Sequence, residues 1–153
     1  MRLIGNIIWF IFGGGFILGL VYLLAGALFS ITVIMHPIGK ACYNISKLMF
    51  APFGKDIITE TDLKGSDNVN GTRQAGGFIM NLLWLPLGLP LMFAHIFAGI
   101  IMFIGIFTIP FGFVHFKLAR IAIWPIGAKV VSKELAAVAR TQRAQEEFDN
   151  LNN

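Results

Sequence analysis

Three groups of residues have the types to do chemistry in an apolar setting. Asn6 and Asn81 each open the pattern Asn-x-x-Trp, and His95 lies inside a long apolar stretch. Pairs of bases, Lys40 with Lys47 and Lys117 with Arg120, sit between Pro-x-Gly brackets. An amide in hydrocarbon needs a partner, and an ionisable group there is a functional candidate by default. Asn6, Asn81 and His95 are therefore candidate polar intramembrane contacts. The competing reading has the asparagines marking headgroup level at a helix start and His95 as a neutral imidazole bonded to a backbone carbonyl. His36 and His115 sit near the brackets, where interfacial hydrogen bonding accounts for them. All eight carboxylates fall within 56–67 or 134–149, outside the apolar runs, so an intramembrane acid–base pair or carboxylate relay has no material. No P-loop, dinucleotide fingerprint or His-Glu-x-x-His pattern occurs. The single cysteine, Cys42, excludes an internal disulfide and a Cys-rich zinc site and reads as a small apolar filler. No enzyme activity, metal or cofactor is expected.

The elements that must position these groups belong to a membrane protein. Of 153 residues, 56% are hydrophobic and 13% charged, where a soluble domain carries about 25% charged. No Asp, Glu, Lys or Arg occurs from Leu3 to Gly39 or from Gln74 to Phe116, and both runs exceed the roughly 20 residues of a bilayer span. A cleaved signal peptide is not expected, because the first apolar run continues to Met35, past the length of a signal core. The net charge of +4 fits membrane topology and anionic-lipid contact better than nucleic-acid binding.

The chain is also a duplication. GNIIWFIFG (5–13) matches MNLLWLPLG (80–88), aligning Asn6 with Asn81, Trp9 with Trp84 and Gly13 with Gly88. Downstream, with the spacing shortened by two, Pro37 and Gly39 align with Pro110 and Gly112, Lys47 with Arg120, and Pro52 and Gly54 with Pro125 and Gly127. Each copy predicts a helical hairpin. Gly13-Gly14-Gly15 interrupts the first arm in one copy, and Pro86, Gly88 and Pro90 do so in the other, which leaves open a short or re-entrant arm. Gly15-x-x-x-Gly19 and Ala94-x-x-x-Ala98 are weak close-approach signals. The bracketed segment follows, drawn as a short amphipathic helix on the membrane surface. Lys40 and Lys47, or Lys117, Arg120 and Trp124, face the headgroups, aliphatics enter the acyl boundary, and the brackets turn the chain in and out of that plane.

The expected architecture is thus an all-α integral membrane protein. It has two parallel repeats (3–55 and 76–128), a polar linker (56–75) read as a solvent loop, and a C-terminal amphipathic helix and tail (129–153). The tail helix is expected to present Val131, Leu135, Val138 and Ala139 as its apolar stripe. Asn70-Gly71-Thr72 is a formal glycosylation acceptor read as a chance match. Five bases lie between His36 and Arg73 and six from Lys117 onward. Retention of bases in the cytoplasm then places linker and tail there together.

The Asn-x-x-Trp pattern, the twin Pro-Phe/Ile-Gly brackets and FKLARIAIWPIG resemble the YccF family of small bacterial inner-membrane proteins, over both copies. The resemblance implies a multi-pass inner-membrane protein with a duplicated domain, no settled activity and no catalytic residues to transfer. Asn44 stands where Lys117 does, so a lipid or partner site built on these bases should be weaker in the first copy. The expected function is a non-enzymatic structural or interaction protein touching anionic lipid, as a homo-oligomer. The alternative is a small channel or transporter subunit whose path is lined by the broken helices.

Overall fold

The computed structural model describes residues 2–64 and 70–152. The first repeat contributes α1 (Arg2–Phe12), α2 (Gly15–Ser30), α3 (His36–Phe50), strand β1 (Lys55–Thr59) and a short α4 (Glu60–Lys64). The second contributes α5 (Gly71–Met102), a 3₁₀ turn at Ile106–Thr108, α6 (Ile109–Ile123), β2 (Ala128–Ser132) and α7 (Lys133–Leu151). The bracketed helices α3 and α6 form the centre. Ile45, Leu48 and Met49 of α3 and Leu118 and Ile121 of α6 are all buried in one core with Trp9 and Trp84. The aliphatic face predicted to enter lipid therefore packs inside the protein. Around this centre α2 packs on α3 and α5 on α6, and their outward faces expose leucine, isoleucine and phenylalanine. That apolar coat suits a lipid solvent. Two helices, α5 and the 106–123 segment, are long and apolar enough to cross a membrane, and the α1–α2 pair makes a third if it counts as one span.

The brackets do two different jobs. Pro37 and Pro110 lie in the first turn of α3 and α6, where the missing N–H costs nothing. The glycines behind them are contact points rather than turns. A Cβ on Gly39 would come 2.8 Å from the Gly26 carbonyl, and one on Gly112 would come 3.0 Å from that of Gly99, so each hairpin closes glycine against glycine. The exit prolines stop the helices, with Ala51 and Trp124 extended before them (φ −150° and −137°). Gly54 and Gly127 then take φ of 94° and 92°, a left-handed conformation that favours glycine, and Lys55 and Ala128 close the turns on the Pro52 and Pro125 carbonyls.

The two repeats part company in the first arm. A Cβ on Gly15 would meet the Trp9 indole nitrogen and the Met49 carbonyl; one on Gly88 would meet the Trp84 nitrogen and the Ala122 carbonyl. Gly15, not Gly13, is thus the partner of Gly88, which locates the extra two residues of the first copy at Gly13-Gly14. There Gly14 adopts φ 77° and the chain bends by 75° between α1 and α2. The matching break expected at Pro86–Pro90 does not occur. α5 runs unbroken for 32 residues, about 48 Å, with both prolines on its exposed side. Ala94 is exposed as well; Gly88, His95 and Gly99 make the packing face instead.

The polar linker is more ordered than expected. Ile57 and Ile58 are buried, and β1 pairs antiparallel with β2 in the register Lys55↔Ser132 to Thr59↔Ala128. An all-α reading therefore missed a two-stranded ribbon, and the predicted tail helix begins at Lys133 rather than 129. Thr59 and Asp62 cap α4 reciprocally, at 3.1 and 2.8 Å, and the Ser132 hydroxyl caps α7. Asn70 of the formal glycosylation triplet accepts from the Thr72 amide as the N-cap of α5. Residues 65–69 of the expected loop lie outside the described residues. α7 docks on α4 and β1 through Ala136 and Ala139, while Leu135 and Val138 stay exposed and Val131 belongs to β2. The ribbon and this docking put the start of the linker and the tail at the same end of the molecule.

Candidate functional site

Each repeat carries one built polar site, where its bracketed helix ends. The Asn6 amide donates to the Phe53 carbonyl (3.1 Å) and its oxygen accepts from the Phe53 N–H (2.9 Å). Trp9 Nε1 donates to the Met49 carbonyl at 2.6 Å. In a continuing helix the Met49 carbonyl and Phe53 N–H would bond each other; here the proline ends the helix, and one side chain takes each orphan. The second copy repeats this with Asn81 on both backbone groups of Ile126 (2.9 and 3.0 Å) and Trp84 on the Ala122 carbonyl (2.7 Å). Asn6 and Asn81 thus face backbone, not a common cavity. Unsatisfied, these groups would cost about 1–3 kcal/mol each, so the clamps hold the helix-to-strand corners on which the ribbon depends.

His95 is buried, but its partner is no carbonyl. Its Nδ1 lies 3.1 Å from Nδ1 of His115, a geometry in which one ring donates and the other accepts. His115 is likewise buried, not interfacial, and the edge of its ring meets Trp9 with centroids 5.3 Å apart. Counting back 73 positions, the first copy places Tyr22 and Cys42 where the second has these histidines; both are buried, and the Tyr22 hydroxyl has no hydrogen-bond partner.

The predicted headgroup bases are not equivalent. Lys40, Lys47 and Arg120 are exposed. Lys117 is half-buried instead, its ammonium donating to the Lys55 carbonyl at 2.7 Å, and Asn44 does the same to the Ala128 carbonyl at 3.3 Å. Position 44/117 therefore stitches each central helix to the strand of the other repeat. Trp124 is partly exposed, its ring against Phe78. At the ribbon, Arg140 of α7 donates to the Asp56 carboxylate (2.9 Å) and the Ile57 carbonyl (3.1 Å). Burial works to raise the Asp56 carboxyl, but the Ile57 amide and Arg140 outweigh it and hold it below the ordinary carboxylate value. Burial, with Lys47 nearby, lowers the Lys55 ammonium. Among the described residues, no group of three or more His, Cys, Asp or Glu could hold a metal ion.

The clamp-bearing halves coincide with a known domain. The family described as "Inner membrane component domain", YccF, matches residues 4–55 and again 79–128. The chain belongs to the YccF family. It is 37% identical over 150 residues to the "Inner membrane protein YccF" of Escherichia coli (strain K12), covering 97% of this chain and 100% of that one, and equally to that of Shigella flexneri. No solved structure matches it. Each matched segment of this chain contains its clamp, its glycine contact and both brackets, and the duplication is a property of the domain match itself. The His95–His115 pair, the Tyr22–Cys42 counterpart and Arg140 on the ribbon were missed in the sequence. The 73-residue offset would have paired Tyr22 with His95 and Cys42 with His115, though it names no contact.

Proposed function

We propose that this YccF protein is a non-enzymatic structural or interaction component of the inner membrane, working as a homo-oligomer and contacting anionic lipid through Lys40, Lys47 and Arg120. In this reading the linker and tail lie on the cytoplasmic side, where positively charged flanks are retained. The observation that carries it is the commitment of Asn6 and Asn81 to backbone corners, which spends on architecture the amides that a transport path would have used. The exposed bases remain as the polar chemistry offered outward, and anionic headgroups attract such cations by about 1 kcal/mol each near the surface.

The test reconstitutes the protein in nanodiscs of mixed phosphatidylglycerol and phosphatidylcholine and measures the lipid around it with a headgroup-labelled probe. The variant Lys40→Gln/Lys47→Gln/Arg120→Gln should lose about half or more of the anionic enrichment. Unchanged enrichment would remove the reading.

A further inference from the structure

A groove that the alignment of the repeats does not foreshadow lies along α1. α1 leans away from α2, and a space of about 410 Å³ forms between α1, the Gly54 corner, the start of α6 and the first residue of α7. That volume is within the usual range for small-ligand sites. Its walls are apolar: Ile4 and Ile8 of α1 on one side, Phe107 and Phe111 on the other. Two cations lie among its lining, Arg2 and Lys133. Arg2 is held by Glu134 at 2.6 Å through one guanidinium nitrogen, and a guanidinium has five N–H donors to share. With Glu134 counted, these three side chains carry a net charge of +1.

We propose that this groove binds one anionic phospholipid, its phosphate between Arg2 and Lys133 and an acyl chain along Ile4, Ile8, Phe107 and Phe111. The site goes beyond the surface contacts proposed above, uses none of their residues and can fail without them. Charge complementarity selects the headgroup, because guanidinium and ammonium donors bond phosphate oxygens strongly. The walls select a chain over a soluble anion: Ile4 is 63% and Phe107 93% exposed, apolar surface that a chain would cover. The second repeat supplies the contrast. The places of Arg2 and Lys133 are taken there by Gly77 and Glu60, and Glu60 is paired with Arg73 at 3.2 Å. Neither supplies a cation, and α5 continues unbroken through the position of the bend. One lipid per chain is therefore expected, between α1 of the first repeat and the start of α6 of the second.

The experiment counts lipids retained by the full chain in neutral detergent, by native mass spectrometry, after adding phosphatidylglycerol or phosphatidylcholine with identical acyl chains. The parent protein should keep one phosphatidylglycerol with about tenfold preference, a difference that two charge-assisted contacts readily supply. Arg2→Gln/Lys133→Gln should abolish the preference, and Ile8→Trp, which fills the groove, should lower retention of both lipids. Circular dichroism matching the parent certifies that each variant is folded. The Lys40→Gln/Lys47→Gln/Arg120→Gln variant should keep this single lipid. No preference in the parent, or an unchanged preference in the folded Arg2/Lys133 variant, overturns the site. Displacement of the lipid by inorganic phosphate at equal concentration overturns it too, since the site would then recognise the anion alone.

Discussion

The two halves of this molecule share a corner and differ in an arm. In both, asparagine grips the residue between Pro and Gly through both backbone groups, tryptophan takes the carbonyl of the next-to-last helical residue, and a left-handed glycine turns the chain into a strand. Upstream, one half inserts Gly13-Gly14 and bends by 75°, while the other carries Pro86 and Pro90 and stays one unbroken helix. The difference shows where the fold is over-determined. The corner must satisfy orphaned backbone groups inside the protein, so its residues recur. The first arm faces lipid and satisfies its own backbone as a helix, so it tolerates two added residues or two prolines. Helix breakers in such an arm mark positions where a break is permitted, and two glycines with φ freedom break it where two prolines on one exposed side do not.

The largest effect expected from disturbing this comparison is at the corner. Asn81 is 1% exposed, whereas Asn6 is only part-buried. Replacing Asn81 with Leu removes both bonds to the part-buried Ile126 backbone at a position where the side chain itself is closed to solvent, at up to about 1–3 kcal/mol for each unmatched group. Asn6→Leu removes the same bonds where solvent or headgroups reach part of the way and should cost less. Denaturant titration in detergent should therefore rank Asn81→Leu well below Asn6→Leu, and equal midpoints would mean that burial does not set the value of the clamp.

This ranking also shows what the sequence made legible. Asn6, Trp9, Asn81 and Trp84 stood out because they recur in register, and the apolar runs declared the membrane. Their partners were invisible, since a backbone carbonyl has no letter. The ribbon was hidden for another reason: Ile57-Ile58 and Val130-Val131 are two-residue apolar runs in polar surroundings, too short for the alternation that identifies a strand. They become readable only when laid over each other, because Thr59 and Ser132 then fall together as helix caps. His115 was misplaced because nearness to a bracket was taken for nearness to the membrane surface, whereas the bracketed helices are the centre of the protein. The stripe on α7 was read as Val131, Leu135, Val138 and Ala139; of these only Ala139 is a buried residue of the helix, joined by Ala136, while Arg140 beside them reaches the ribbon.

A middle-sized effect should follow from making the arms alike. Deleting Gly13 and Gly14 restores the spacing of the second copy and should let α1 and α2 run as one helix. Spin labels at positions 7 and 28 of the parent numbering would then be separated by about 28 Å along a straight axis, longer than across the parent's bend. Pulsed dipolar spectroscopy reads this directly. A distance unchanged by the deletion would place the cause of the bend in the packing of α1 on the Phe53 corner rather than in the glycines. Stability should change little, because Asn6 and Trp9 keep their partners in the register that Asn81 and Trp84 already use.

The smallest effect belongs to the link between tail and ribbon. Arg140 to Asp56 is partly exposed, so Arg140→Ala should cost no more than about 1 kcal/mol and show mainly as faster proteolysis of α7. The acid response has a definite sign. Asp56 is held below its ordinary value by the Ile57 amide and Arg140, against burial, so the folded state binds this proton less readily than the unfolded chain. Its contribution is complete above the unfolded carboxylate value near 4 and is lost as pH falls through the lower folded value. Protease sensitivity of the tail should therefore rise below about pH 4 in the parent, and less so in Asp56→Asn, which has no charge left to lose. Identical acid profiles for parent and variant would show that α7 is held by Ala136 and Ala139 alone.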